Sequence, residues 1–185
     1  DHLRINGGSA PIFILIFKFL QESEMKVFIM RHGESEVMAQ SDKERRLTDY
    51  GKHQSTLQGE WLQQYLKMTG IVLDKVLVSP YTRAQQTFTA VSAAFSGDLD
   101  NKMETWEGIT PYGNETTVTN YLAVLAEQGM QAVLLISHLP LVGGIVAELY
   151  GKRNPISFYP STIAQVDWDG QKGRLESHHY PPENL

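Results

Sequence analysis

The sequence contains no cysteine among its 185 residues. A chain without cysteine has no disulfide, no iron–sulfur cluster and no zinc site with thiolate ligands. Enzymes that attack their substrate with a cysteine thiolate are excluded on the same ground. The apolar fraction of 42% is nevertheless ample for a buried core.

The first 24 residues match a membrane span or a secretory leader only in part, since Arg4 precedes an apolar run as in a signal peptide. The apolar run at residues 11–20 (PIFILIFKFL) contains Lys18 and has about half the roughly 20 residues that a span requires. The following QESE offers no small-residue cleavage site. We predict that residues 1–24 are a non-native extension or lie outside the fold, with translation starting at Met25, and that residues 25–185 form one domain. An appended helix and a membrane-associated leader are the alternatives.

The chain has no strong excess of charge of either sign. Its formal net charge is −5 and its pI is about 5.7, which gives no reason to expect a nucleic-acid or membrane partner. A Gly-x-x-x-x-Gly-Lys-Ser/Thr loop is also missing, which disfavours an ordinary P-loop nucleotidase. A local phosphate site remains open, because it needs only a few arginines.

Strand and helix patterns alternate along the chain. Short apolar runs predict buried strands at residues 27–30, 75–79 and 132–136, and apolar residues at helical spacing predict helices at 48–70, 84–95, 115–128 and 140–150. Alternating residues around Asp169-Gly170 predict a C-terminal hairpin. This order predicts an α/β fold, a three-layer α/β/α sandwich with a mainly parallel central sheet.

Three polar motifs each follow directly after a predicted buried strand. They are residues 31–34 (RHGE), 79–84 (SPYTRA) and 137–140 (SHLP). Ligands of open α/β sheets bind outside the carboxyl ends of the strands, so these motifs are expected to converge. Convergence would bring together two histidines, His32 and His138, and two arginines, Arg31 and Arg83.

This residue set suits a tetrahedral phosphate dianion. The planar guanidinium forks of Arg31 and Arg83 match phosphate oxygens. A histidine can attack phosphorus only when its imidazole is neutral, and nearby arginines lower a histidine pKa. Gly33 would allow the backbone to approach the ligand closely. Metal binding by His32 and His138 is the chemical rival, but the ligand spacing is missing and neighbouring arginines disfavour a cation.

Four motifs in order resemble the histidine phosphatase (phosphoglycerate mutase-like) superfamily. They are residues 28–35 (FIMRHGES), 47–54 (LTDYGKHQ), 78–87 (VSPYTRAQQT) and 136–138 (ISH). The resemblance covers residues 25 to about 179. It implies a phosphoglycerate mutase-like fold and a phosphatase without metal or cofactor. It also implies that His32 accepts the phosphoryl group while Arg31, Arg83 and His138 complete the phosphate pocket.

The resemblance further implies a phosphohistidine phosphatase of the cytoplasm that acts on a histidine phosphotransfer domain or a similar phosphoprotein of a phosphorelay. Little sequence lies between Thr87 and Tyr121 to build a lid, so we expect an open, shallow site. A small-molecule phosphomonoesterase or mutase of the same superfamily and a non-catalytic phosphohistidine-binding module are the alternatives. The general acid could be Glu107, Glu115 or neither of them. The Glu34-Ser35 pair is shared with broader branches of the family, so it leaves the substrate open. The sequence does not fix the oligomeric state.

Overall fold

The computed structural model describes residues 24–183 of the chain. Within this range the strands are β1 (Met25–Arg31), β2 (Lys75–Val78), β3 (Met103–Thr105), β4 (Ala132–Ser137), β5 (Ile163–Trp168) and β6 (Gly173–His179). The α-helices are α1 (Asp49–Thr69), α2 (Thr82–Ala93), α3 (Glu115–Glu127) and α4 (Leu141–Tyr150). The extension predicted for residues 1–24 lies outside the described residues except for Glu24, so the domain division stays a prediction.

The six strands form one sheet in the order β3-β2-β4-β1-β5-β6. Strands β3, β2, β4 and β1 run parallel to one another, whereas β5 pairs antiparallel with both β1 and β6. The prediction of a mainly parallel sheet that ends in a C-terminal hairpin is therefore confirmed.

The central strands bury side chains on both faces, because helices cover the sheet on both sides. In β1, Phe28 and Met30 pack with α1 and α2, while Val27 and Ile29 pack with α3 and α4. Successive side chains of a strand point to opposite faces, so a continuous apolar run such as 27–30 requires a layer on each side. The predicted α/β/α sandwich is confirmed.

Helix α1 has the ends that its sequence predicts. The Thr48 hydroxyl accepts a hydrogen bond from the Gly51 amide at 2.9 Å, which caps the first turn. Gly70 ends the helix with a left-handed φ of 72°, a conformation that glycine adopts without a Cβ clash. Leu62 and Leu66 are buried in the core, as the helical spacing indicates.

Two elements differ from the prediction. Helix α2 begins at Thr82, two residues before the predicted start at Ala84. The strand β3 was not predicted, because its three residues are partly exposed and lack an apolar pattern. It gains its order from pairing with β2 at the edge of the sheet.

The three polar motifs emerge at one edge of the sheet. Strand β4 lies between β1 and β2, with Arg31 paired opposite Ser137 and Val78 opposite Ile136. All three strands are parallel, so their carboxyl ends lie side by side. None of the helices within residues 24–183 is long and apolar enough to cross a membrane.

Candidate active site

His32 is fixed by backbone contacts at the end of β1. Its amide donates a hydrogen bond to the Ser137 carbonyl at 2.9 Å, and its own carbonyl accepts one from the Ser161 amide at 3.1 Å. The next amide, that of Gly33, donates to the Thr87 hydroxyl of α2 at 3.0 Å. These three contacts hold the imidazole between β4, α2 and the loop before β5.

The hydrogen bonds of His32 identify which ring nitrogen is available for attack. Nδ1 lies 2.7 Å from the Gly33 carbonyl oxygen, which can only accept, so Nδ1 carries the proton. Nε2 therefore keeps its lone pair, and the Nε–H of Arg83 donates to it at 3.3 Å. The neutral ring presents Nε2, an unprotonated nucleophilic nitrogen, toward the guanidinium that would hold a phosphate.

The environment of His32 keeps its imidazole neutral. Burial lowers the pKa of His32 from 6.5 to about 3, and the charges of Arg83 and Arg31 act in the same direction. The hydrogen bond to the Gly33 carbonyl opposes this shift but does not outweigh it. At neutral pH the ring is therefore in the form that can attack phosphorus.

Arg83 is buried and links the site to the loop before α1. Its Nη1 donates to the Asp42 carbonyl oxygen at 2.7 Å, and its Nη2 lies 3.3 Å from Asp42 Oδ2. The Tyr81 ring lies beneath the guanidinium, with 5.0 Å between Cζ and the ring centroid. The guanidinium is thus oriented by the Asp42 backbone, the Asp42 side chain and an aromatic face.

Arg31 supplies the second guanidinium. Its Nη1 donates to the Phe158 carbonyl at 2.8 Å, while its Nε is buried and has no hydrogen-bond partner among residues 24–183. Burial, and then the positive charge of Arg83, lower the pKa of Arg31 from its ordinary value. Two mutually repelling cations held in a partly desolvated place form a site that an anion would stabilise.

His138 completes the cluster from the end of β4. Its ring centroid lies 5.0 Å from that of His32, and its Nε2 lies 2.7 Å from Ser79 Oγ. The Tyr81 ring packs edge-on against it at 5.1 Å. Burial lowers the pKa of His138 to about 2, with His32 and Arg83 adding to the shift. Its Nδ1 is buried without a partner in the described part of the chain.

Gly33 sits where a side chain does not fit. A Cβ at this position would lie 2.6 Å from Ser55 Oγ and 2.8 Å from the Gly51 carbonyl oxygen. The segment after His32 can therefore pack against α1 only with glycine here. The structure brings all five predicted residues, Arg31, His32, Gly33, Arg83 and His138, to one place.

This arrangement suits phosphoryl transfer without a metal ion. A neutral imidazole nitrogen contacts the guanidinium of Arg83, and the charge of Arg31 and a second imidazole lie near the same ring, which provides a nucleophile and donors for developing negative charge. Among residues 24–183, no cluster of three or more histidine, aspartate or glutamate side chains could hold a metal ion.

Sequence reasoning missed the residues that hold the site together. Asp42 and Arg45 form an ion pair of 2.9 Å, and the charge of Arg45 contributes to the lowered pKa of His32. Ser79 and Thr87 orient His138 and the Gly33 amide. Both lie in quoted motifs, so their position in the motif was the available signal. Asp42 and Arg45 lie in a polar stretch without a periodic pattern.

The two imidazoles of the site are nearly buried. His32 is 7% exposed and His138 is 1% exposed, and the carboxylate of Asp42 lies 3.3 Å from the guanidinium of Arg83. The stretch between α2 and α3 holds only β3 and two short 3₁₀ turns. The open, shallow site that this short stretch indicates stays a prediction. Of the two candidate acids, Glu107 is exposed and Glu115 packs against Gly144 of α4.

Comparison with known proteins identifies the family. The sequence profile of the histidine phosphatase superfamily (branch 1) matches residues 27–112. A protein of Haemophilus influenzae named "Phosphohistidine phosphatase SixA homolog" is 61% identical over 159 residues, which cover 85% of this chain and 97% of that protein. The chain belongs to the histidine phosphatase superfamily. The resemblance seen in the four sequence motifs is confirmed.

Other proteins are similar to this chain at lower sequence identity. "Phosphohistidine phosphatase SixA" of Escherichia coli is 42% identical over 161 residues, covering 87% of this chain and 96% of that protein. A solved structure of the protein histidine phosphatase SixA complexed with tungstate has a TM-score of 0.75 at 39% identity, covering 83% of this chain and 96% of that one. A phosphoglycerate mutase of Bacillus anthracis has a TM-score of 0.67 at 13% identity, covering 86% and 94%. This last likeness supports the phosphoglycerate mutase-like fold alone.

Proposed function

We propose that the protein is a metal-independent phosphohistidine phosphatase that removes phosphate from phosphorylated histidines of other proteins. The observation that carries the proposal is the 3.3 Å contact between Arg83 Nε and the unprotonated Nε2 of His32. It places a neutral nucleophile beside a phosphate-binding guanidinium. The two curated relatives, both named as phosphohistidine phosphatases, support the substrate class.

The reaction proceeds in two displacements. His32 Nε2 attacks the phosphorus of the substrate phosphohistidine, a P–N bond forms on His32, and the substrate P–N bond breaks while the leaving imidazole takes up a proton from solvent. Water then attacks the same phosphorus and gives up a proton to solvent, the P–N bond on His32 breaks, and inorganic phosphate leaves, which returns His32 to its neutral form. Arg31, Arg83 and His138 stabilise the charge on the transferring group in both steps.

The chemistry of the donor fits a site without an assigned general acid. The donor and the enzyme intermediate are both phosphoramidates of imidazole, so the first transfer is close to thermoneutral. Imidazole also departs readily once protonated, unlike the alkoxide of a sugar phosphate. For this reason we favour phosphohistidine over a phosphorylated metabolite. We further propose a histidine phosphotransfer domain or similar phosphoprotein as the partner and the cytoplasm as the location.

The experiment is a single-turnover reaction with a phosphohistidine-containing phosphotransfer protein. Intact mass spectrometry should show one added phosphoryl group on the enzyme, labile to acid and stable to alkali, and absent in His32→Ala. His53→Ala is the matched control, because His53 is exposed on α1, and it should label normally. Label on another residue, or full turnover by His32→Ala, would contradict the proposal.

The same enzyme and phosphoprotein also distinguish this proposal from the two alternative functions. Turnover of phosphorylated metabolites with none of the phosphoprotein would favour a small-molecule phosphatase or mutase. Binding of the phosphoprotein without any release of phosphate would favour a non-catalytic binding module.

A further inference from the structure

A cavity of about 270 Å³ is lined by chain segments that adjoin the phosphate site. It is framed by the segment after His32, by α1, by the loop before β5 and by the C-terminal segment. Its polar and aromatic lining residues are Glu34, Tyr50, Gln54, Tyr159, Tyr180 and Glu183. The mechanism described above uses none of these side chains.

The cavity shares two chain segments with the phosphate site. Glu34 follows His32 by two residues, and the Thr48 hydroxyl holds its Oε2 at 2.7 Å. Tyr159 follows Phe158, whose carbonyl accepts a hydrogen bond from Arg31. A group bound in the cavity would therefore lie next to a phosphoryl group held by Arg31.

Aromatic faces form much of the cavity wall. Tyr159 and Tyr180 pack edge to face with 5.5 Å between ring centroids, and Tyr50 lines the same space. All three rings remain at least 39% exposed. Exposed tyrosines gathered in one place are typical of recognition surfaces, and their faces attract cations.

The charged and polar groups of the cavity are acceptors of the kind that a cation needs. Glu34 and Glu183 are exposed carboxylates on its rim. Gln54 is only 7% exposed, and its buried Oε1 lacks a hydrogen-bond partner within residues 24–183. A buried acceptor without a donor is costly, so Gln54 Oε1 adds an unused hydrogen-bond acceptor to the acidic, aromatic cavity. The neighbouring phosphate site, by contrast, is cationic.

We propose that this cavity binds the side chain of a lysine or arginine that lies close to the phosphohistidine in the substrate protein. The inference rests on the proposed function, and it means that the enzyme prefers substrates with a basic residue near the phosphohistidine. A substrate with a dianion next to a cation would match the two adjacent sites, because the arginines attract the phosphoryl group and the acidic aromatic cavity attracts the basic side chain. A neutral neighbour would leave the cavity unused.

The test uses a panel of phosphohistidine peptides that differ in one residue. Arginine replaces glutamine in turn at each of the four positions on either side of the phosphohistidine, and kcat/KM is measured for each peptide. The wild-type enzyme should prefer arginine over glutamine by about 3- to 10-fold at one or two positions. The Glu34→Gln/Glu183→Gln double variant should lose this ratio. Glu148→Gln, an exposed carboxylate on α4 across the sheet, should keep it.

The ratio of kcat/KM for the arginine peptide to kcat/KM for the glutamine peptide is measured on each variant separately. A variant that is only partly folded lowers both values alike, so a change in the ratio reports recognition. A wild-type panel without position dependence, or a ratio that survives in the double variant, would overturn the inference. If the wild-type enzyme hydrolyses neither these peptides nor the phosphohistidine phosphotransfer protein, the proposed function fails instead. In that case, NMR with the unphosphorylated peptides tests whether the cavity binds the arginine side chain. The arginine peptide should shift the ring signals of Tyr159 and Tyr180 more than the glutamine peptide does, and equal shifts would overturn the inference.

Discussion

Ser79 Oγ lies 2.7 Å from Nε2 of His138, although the two residues follow different strands, β2 and β4. Ser79 is fully buried, and its hydroxyl also accepts a hydrogen bond from the Tyr81 amide at 3.2 Å. The serine therefore connects the second imidazole to the start of α2, the helix that carries Arg83. His138 and Arg83 are held relative to one another through this contact.

We expect Ser79→Ala to slow the reaction. Loss of the hydroxyl leaves His138 Nε2 without its partner and the ring free to rotate, so kcat for a phosphohistidine protein should fall about tenfold. Steady-state kinetics with the purified variant provide the measurement. Ser137→Ala is the matched control, because Ser137 is equally buried but its hydroxyl donates to the Ile109 carbonyl at 2.8 Å.

The control should lower stability rather than turnover. Leaving the Ile109 carbonyl unpaired is expected to cost about 1–3 kcal/mol in the free energy of unfolding, measured by urea denaturation. Equal losses of kcat in the two variants would show that the Ser79 hydroxyl has no special role at His138.

The carboxylate of Asp42 lies where it would repel an anion bound by Arg83. Its carboxylate pairs with Arg45 at 2.9 Å and with Arg83 at 3.3 Å. Hydrogen bonding from Arg45 is the largest cause that lowers the pKa of Asp42, so the group is ionised at neutral pH. The side chain is about half exposed, which moderates its interaction with both arginines.

We expect Asp42→Asn to bind tetrahedral oxyanions more tightly. Removal of one negative charge should lower the inhibition constant of orthovanadate or tungstate about 3- to 10-fold at low ionic strength, and added salt should reduce the difference. Competitive inhibition assays measure this. Asp98→Asn, at the opposite end of α2, is the control and should leave the constant unchanged. A higher inhibition constant in Asp42→Asn would contradict this prediction and would mean that Asp42 serves mainly to hold Arg83 in place.

Most of the fold, and the convergence of Arg31, His32, Arg83 and His138, could be predicted from the sequence, for physical reasons that also explain the misses. Val27 to Met30 and Ala132 to Ile136 are continuous apolar runs, which only a doubly covered strand accommodates. His32 and His138 follow those strands directly, so parallel pairing alone brings them together. By contrast, β3 is defined by its pairing with β2, and the placement of Asp42 depends on the tertiary path of a polar loop. Neither leaves a periodic signal.

Gly33→Ala should impair both stability and turnover. The added Cβ meets the Gly51 carbonyl of α1 at 2.8 Å, and a backbone atom cannot rotate away as a side chain can. We expect a loss of about 1–3 kcal/mol in unfolding free energy and a fall in kcat of more than tenfold, because His32 moves with its neighbour.

Gly143→Ala is the comparison for this change. It lies inside α4, where the nearest atom to an added Cβ is the side-chain amide of Asn154 at 3.1 Å, which can move. Alanine favours the helix over glycine by roughly 0.5–1 kcal/mol, so Gly143→Ala should retain both stability and kcat. Denaturation curves and kinetics of the two variants, measured together, check the prediction. A Gly33→Ala enzyme with full stability and activity would contradict the packing described here.

The two buried imidazoles should also make folding stability depend on pH. In the unfolded chain a histidine titrates near 6.5, whereas burial lowers the pKa of His32 to about 3 and that of His138 to about 2. Between pH 6.5 and those values the unfolded chain binds more protons than the folded one, so the free energy of unfolding falls as the pH falls. Each histidine contributes a slope of at most about 1.4 kcal/mol per pH unit.

Urea denaturation between pH 7 and pH 5 measures this slope, in a range where most carboxylates remain ionised. Burial also lowers the pKa of His179, so the wild-type slope alone does not isolate the active site. The His32→Gln/His138→Gln double variant removes both titrating groups and should show a clearly flatter dependence than the wild type. Parallel slopes in the double variant and the wild type would mean that the folded protein protonates these imidazoles readily. Neither ring would then be held as a neutral group, and His32 would lose its nucleophilic form as the pH fell through the ordinary histidine range.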